Sequence, residues 1–405
     1  MHERPLGLRH LGWLVCAMLF VAATCSTAAP GKAIVIEGTQ AAAVSPLSVY
    51  VELMKDGQVI KGEPNPLLFT EEPSESFMAF LDTGASAHVF SETLVERFKV
   101  AIADGAAYHE VALSGETAMQ VTEPYSLRLA GTKGDYIAPQ RHGDYLLAGK
   151  NVRCQVKSGG LIAGGQGMIE MNVIGMPAIR DLFIEISDGG KQNSQTDSLL
   201  GSVLPPAPTL SLKRSGSIPG SADAVIRLDY VDYNRRKHPK NTGPLPALED
   251  NPMVRGLTIR QGSAQSSAGF LLDTGAVTSM ISPAQAQQLG LYDANGEPVV
   301  KPDFYLPLAG VSGQVMTTPG YKLDELHVPA GGKTLIFKGV HAIVLDISIT
   351  LDDGSTVTLD GIFGMNLLLP GMPMPIKLDG FEFSDPPFET IWLDGKRGKL
   401  GLQLR

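Results

Sequence analysis

The sequence predicts an all-β protein built from two homologous lobes. Of its 405 residues, 45 are Gly and 28 are Pro while only 6% are aromatic, a balance that suits many short strands and turns. Helical signals are few and brief. An internal repeat divides the chain into two copies of one unit, and a chain of this length accommodates two or three domains. Apolar residues at 43% and charged residues at 19% place it among folded globular proteins. A net charge of −9 with no long run of Lys or Arg argues against a nucleic-acid partner.

Residues 1–28 read as a secretory signal peptide. Arg4 and Arg9 precede an apolar run from Leu11 to Ala23, and small residues lead to a cut after Ala28. The run is shorter than the roughly 20 residues a bilayer span needs, and no second long apolar stretch follows. The expectation is a secreted or periplasmic protein with no integral membrane segment once the signal is removed. Cys16 and Cys25 lie in the signal, so Cys154 stands alone and no intrachain disulfide forms.

The first lobe is read as residues 29–187 and opens with LSVYVELM near Tyr50. The second, residues 224–405, opens with AVIRLDYV near Arg227. Both runs alternate in part with the period of a half-buried strand. Residues 188–223, rich in Gly, Ser and Pro, read as a linker or surface loop, and Asn234 to Pro252 as an exposed loop. Two short helices are expected. One is SETLVERF after Phe90; the other is SPAQAQQLG after Ile281, with Ser282 as N-cap, Pro283 at the first helical position and Gly290 as the stop.

The repeat is specific. FMAFLDTGASAHVFS surrounds Asp82 and AGFLLDTGAVTSMIS surrounds Asp273. Downstream, Ser114-Gly115 is echoed by Ser312-Gly313, and Val173-Ile174-Gly175-Met176 by Ile362-Phe363-Gly364-Met365. From Asp82 to Gly175 is 93 positions, and from Asp273 to Gly364 is 91. Average usage would give about 0.1 Asp-Thr-Gly tripeptides by chance in such a chain.

This pattern resembles the aspartic peptidases, pepsin-like and retropepsin-like. The resemblance implies an acid protease fold of two closed-barrel-like lobes with a cleft between them. It matches Asp82 and Asp273 to the catalytic aspartates, and Thr83 and Thr274 to the threonines that cross-link the two loops. Gly84 and Gly275 match the glycines that let the backbones approach, and Gly175 and Gly364 the glycine of the segment threading behind each loop. A flap hairpin in each half is expected near Gly115 and Gly313, more like a fused retropepsin dimer than a pepsin.

The chemistry explains the duplication. Two carboxylates about 3 Å apart share a proton, so one takes a proton from water while the other polarises the scissile carbonyl. The roles then reverse, and no metal or cofactor is required. Ala85 and Ala276 stand after the glycines, where pepsin-like enzymes usually carry Ser in the first half. A missing hydroxyl leaves the dyad less acidic, which predicts activity from mildly acidic to near-neutral pH.

Other motifs are set aside. Pro329 to Thr334 lacks the first glycine of a phosphate loop, and the cluster Gly159–Gly167 lacks its Lys-Ser/Thr ending. His109-Glu110 lacks the second His of a zinc-protease motif. His88, facing Ser279 in the other copy, is read as packing, as are Met176 and Met365. The reading is an exported aspartic endopeptidase, monomeric, acting on a peptide or protein substrate. The alternative is a non-catalytic peptide-binding protein that retains the duplicated fold.

Overall fold

Alternation decides which face of each strand is covered. Along Phe77–Leu81 the residues Phe77, Ala79 and Leu81 are buried while Met78 and Phe80 are half-buried, the period of a strand with one face on the core. The computed structural model describes residues 32–64, 73–112, 115–136, 138–158, 161–164, 167–187, 205–232, 240–309, 315–350, 356–372 and 383–405. The expected signal peptide lies outside them. Among the described residues no helix is long and apolar enough to cross a membrane.

Two large sheets form the body. The first runs, in spatial order, Gln140–Val152, Tyr125–Lys133, Ser48–Lys55, Phe77–Leu81, Val173–Ile174, Val89–Ser91, Gln155–Lys157, Gly115–Thr122 and Ile102–Ala112. The second includes Asn251–Gln261, Ala264–Leu272, Gly361–Phe363, Ser279–Ile281, Lys333–Val344, Val315–Ala330 and Phe304–Ala309. One set of pairings occurs in both. Val173 lies parallel to Phe80 and antiparallel to Val89, and Ile362 lies parallel to Leu271 and antiparallel to Met280. The duplication read from sequence is therefore a duplication of register.

Both expected helices form and are capped alike. Leu94 N–H donates to Ser91 Oγ ahead of Glu92–Arg97, and Gln285 N–H donates to Ser282 Oγ ahead of Pro283–Gln288. Each ends in a left-handed residue, Lys99 at φ 51° and Gly290 at φ 74°.

Three segments depart from the sequence reading. Residues 188–223, expected as linker or surface loop, contain the strand Thr209–Lys213, paired with Phe183–Ser187. That pair continues through Phe388–Asp394, Lys399–Leu404 and Ala224–Val231, a sheet shared by both halves of the chain. The Leu-Ser-Leu alternation at 210–212 was masked by the surrounding Ser and Pro. The N-terminal strand Ala33–Glu37, placed by sequence with the first lobe, pairs parallel with Lys333–Val344 of the second.

The third departure is the supposed exposed loop before Pro252. Its described part, residues 240–251, is a strap across the first lobe. Thr242 bridges Ala107, Leu248 packs on Ala103, Ala106, Tyr108 and Val121, and Ala247 N–H donates to Arg153 O at 3.0 Å. Residues 38–44 cross the second lobe in the same way, with Gly38 N–H on Lys338 O and Val44 N–H on Pro370 O. Ala42–Ala43 pairs there with Gly371–Met372, and elsewhere the straps' backbone groups are satisfied by the neighbouring lobe in place of a long strand of their own.

Candidate active site

The two Asp-Thr-Gly turns meet at the junction of the lobes. Each follows a buried strand and is closed by its own carboxylate. Gly84 and Ala85 N–H groups donate to Asp82 Oδ1 at 2.7 and 3.1 Å, and Gly275 and Ala276 N–H groups donate to Asp273 Oδ1 at 2.9 and 3.0 Å. Ala85 and Ala276 thus contribute backbone donors and carry no hydroxyl for the dyad.

The threonines lock the turns reciprocally. Thr83 N–H donates to Thr274 Oγ1 and Thr274 N–H to Thr83 Oγ1, both at 3.0 Å. Each hydroxyl in turn donates across the junction, Thr83 to Leu272 O at 2.6 Å and Thr274 to Leu81 O at 2.5 Å. Both threonines are buried.

The glycines are required by the same closeness. A Cβ on Gly84 would stand 2.6 Å from Asp273 Cγ, and one on Gly275 would stand 2.6 Å from Asp82 Cγ. The two carboxyl groups are half-buried and hydrogen-bonded to each other. Burial raises both acids. Asp273 is raised well above the usual carboxylate range by that burial and by the neighbouring charge of Asp82, so the pair keeps a shared proton.

Behind each turn runs its Gly-Met segment. A Cβ on Gly175 would lie 2.2 Å from Ala87 O, and one on Gly364 would lie 2.4 Å from Thr278 O. Met176 N–H donates to Ala85 O and Met365 N–H to Ala276 O, each at 2.9 Å. His88, expected only to pack, does more. Its Nδ1 accepts from Gly175 N–H at 3.2 Å, the place filled in the other lobe by Ser279 Oγ on Gly364 N–H at 3.2 Å. Burial lowers His88 to about 4, keeping the ring neutral and able to accept.

Sequence reasoning missed two asparagines. Buried Asn251, on the strap, donates from Nδ2 to Thr83 O at 2.9 Å and accepts from Ser86 Oγ at 2.5 Å. Asn366 accepts from Ser279 Oγ at 2.8 Å and donates to Gln40 O and His341 O at 3.0 Å. The straps complete the lock: Glu249 N–H donates to Ser86 O at 2.9 Å and Ala43 N–H to Val277 O at 2.7 Å, four residues past each aspartate. Asn251 follows an acidic pair and precedes Pro, and nothing local announces its partner 168 positions away.

Of the flap positions, Gly115 pairs with Ala112 and opens the return strand of a hairpin with Ile102–Ala112. Gly313 lies outside the described residues, although the hairpin Phe304–Ala309 with Val315–Ala330 brackets it. The first hairpin is held at its side by the strap, through Thr242 Oγ1 on Gly105 O and His109 N–H on Asn241 Oδ1. Cys154 is buried in the main core, and its thiol is pushed up by burial.

Residues 258–367 match the family described as Aspartyl protease. That stretch of the second lobe is similar to the aspartyl proteases. The match covers the second Asp-Thr-Gly and its Gly364 segment, and the first lobe repeats their geometry outside it. Among solved structures, the aspartic proteinase from Irpex lacteus is 13% identical with a TM-score of 0.40, covering 90% of this chain and 97% of that one. Basic 7S globulin from soybean is 10% identical with a TM-score of 0.38, covering 88% and 96%. No curated protein matches this chain.

Proposed function

We propose that the protein is an exported aspartic endopeptidase that hydrolyses peptide bonds with a water activated between Asp82 and Asp273. The observation that carries the reading is the pair of mutually hydrogen-bonded carboxyl groups, each held by an equivalent backbone donor of its own lobe. The ionised member takes a proton from water as that water attacks the scissile carbonyl, and the protonated member hydrogen-bonds the developing oxyanion. The first carboxyl then returns its proton to the leaving amine. A single chain supplies both acids, so a monomer suffices.

The working pH is bounded by the scaffold. His88 accepts the Gly175 hydrogen bond only while neutral, and it gains a proton as pH falls through about 4. Raised carboxyls place the singly protonated dyad above the ordinary carboxylate range. Activity is therefore expected from mildly acidic to near-neutral pH, and a sharp peak near pH 2 counts against it.

The test is incubation with a mixed peptide library between pH 3 and 7, beside Asp82→Asn and Asp273→Asn proteins of verified fold. Cleavage lost in both variants supports the dyad. Cleavage surviving in either places the chemistry elsewhere, and none by the folded parent favours a non-catalytic peptide-binding protein.

A further inference from the structure

The two lobes present equivalent faces to the dyad, but the faces differ in chemistry. In the first lobe Val89, seven residues after Asp82, pairs with Gln155, and Ser91 pairs with Lys157. In the second, Met280, seven residues after Asp273, pairs with Ile343, and the next residue on that face is Leu345. Gln155 therefore stands where Ile343 stands, and Lys157 where Leu345 stands.

The second-lobe face is apolar throughout: Met280, Ile343, Leu345 and Ile362 pack in one cluster with Ala276. The first-lobe face begins the same way, with Val89, Val173 and Met119 against Ala85. Val156, between the two polar residues, turns into the main core, so Gln155 and Lys157 belong to the face that carries Ala85 and the Asp82 turn. Among the described residues, Gln155 is 1% exposed with neither amide atom hydrogen-bonded, and Lys157 is 4% exposed with its Nζ unpartnered. Burial also lowers Lys157.

Buried polar groups are ordinarily satisfied, and an uncompensated buried ammonium is among the most destabilising features a core can carry. Two unpartnered donors, Gln155 Nε2 and Lys157 Nζ, lie on the face that carries the Asp82 turn and have no counterpart on the equivalent face; they call for an occupant that accepts hydrogen bonds and bears negative charge. We propose that Gln155 and Lys157 form a recognition subsite for an acidic side chain, Asp or Glu, of the bound peptide, opposed across the dyad by an apolar subsite. The ammonium and the Gln155 amide donate to the carboxylate, while Val89, Val173 and Met119 cover its methylene stem. This rests on the peptidase reading for its cleft but makes a separate claim about what the cleft selects.

The experiment compares peptides that differ only by Glu, Gln or Leu at each position in turn. Cleavage is followed by mass spectrometry as a ratio of kcat/KM. At one position the parent is expected to prefer Glu over Gln by about tenfold or more, the worth of a hydrogen bond to a charged group. Lys157→Met brings that ratio to near one, and Lys157→Arg restores it. A Glu/Gln ratio near one everywhere in the parent, or an unchanged ratio in folded Lys157→Met, overturns the proposal. If the folded parent cuts nothing, the peptidase reading fails, and fluorescence anisotropy of labelled Glu and Gln peptides reads the same ratio as Kd. A Glu preference that depends on Lys157 then supports the subsite, and none overturns it.

Discussion

Replacing Thr274 by Val tests the reciprocal lock at the centre of the molecule. The substitution keeps the shape and deletes the hydroxyl. Two groups lose their partner: Thr83 N–H, which donates to Thr274 Oγ1 at 3.0 Å, and Leu81 C=O, which accepts from it at 2.5 Å. Both residues flanking the junction are buried, Thr83 fully and Thr274 at 4% exposure, so water does not replace the hydroxyl. An orphaned buried polar group costs about 1–3 kcal/mol, so the pair costs about 2–6 kcal/mol. That is a large fraction of the 5–15 kcal/mol, roughly, that holds a folded domain together. Thr274→Ser retains both hydrogen bonds and loses only a methyl, for about 1 kcal/mol. Urea unfolding of the three proteins measures the difference directly. Thr83→Val should behave like Thr274→Val, because it orphans Thr274 N–H and Leu272 C=O. A valine variant no less stable than the serine variant would refute the reasoning.

Other perturbations follow from the same geometry. Gly84→Ala and Gly275→Ala each drive a methyl to 2.6 Å from the opposite carboxyl, and should cut kcat/KM by about a hundredfold, the cost of misplacing reacting groups by about 1 Å. Lys99→Gly relieves a left-handed backbone at φ 51° and should raise stability by about 1 kcal/mol in thermal or urea unfolding, while Gly290→Ala, at φ 74°, lowers it. The dyad opposes folding at neutral pH: its folded-state acids are raised above the usual 3.8, so their contribution is complete below that value and lost as pH climbs. Asp273→Asn should therefore raise the melting temperature at pH 7 more than at pH 3. His88 acts in reverse, since a folded value of about 4 against 6.5 makes stability fall as pH drops from 6.5 towards 4, by about 3 kcal/mol. Melting curves of the Asp273→Asn protein across that range, with and without His88→Ser, read this limb without the paired acids.

Much of the site was legible because it is local and repeated. Asp-Thr-Gly after an apolar strand, and a Gly-Met at matching distance, are short motifs whose backbone needs are fixed by residue type. The helix caps Ser91 and Ser282 and the stop at Gly290 are likewise decided within a few residues. Other features depend on distant partners and leave no such trace. Thr209–Lys213 reads as linker until Phe183–Ser187 pairs with it, and residues 240–251 read as exposed loop until the first lobe accepts their hydrogen bonds. His88 and Ser279 look unlike in sequence yet accept the same glycine N–H, because the fold asks only for an acceptor at that point.

By itself, then, the sequence determined the duplication, the strand-rich architecture and the paired aspartates, since each is set by local pattern and copy number. The tertiary structure alone decided that each half sends a strap to lock the other's turn. It alone set Gln155 and Lys157 unpaired on a face whose mate is apolar. Hydrogen-bond satisfaction and burial are properties of the assembled space around an atom, and only the packed chain fixes them.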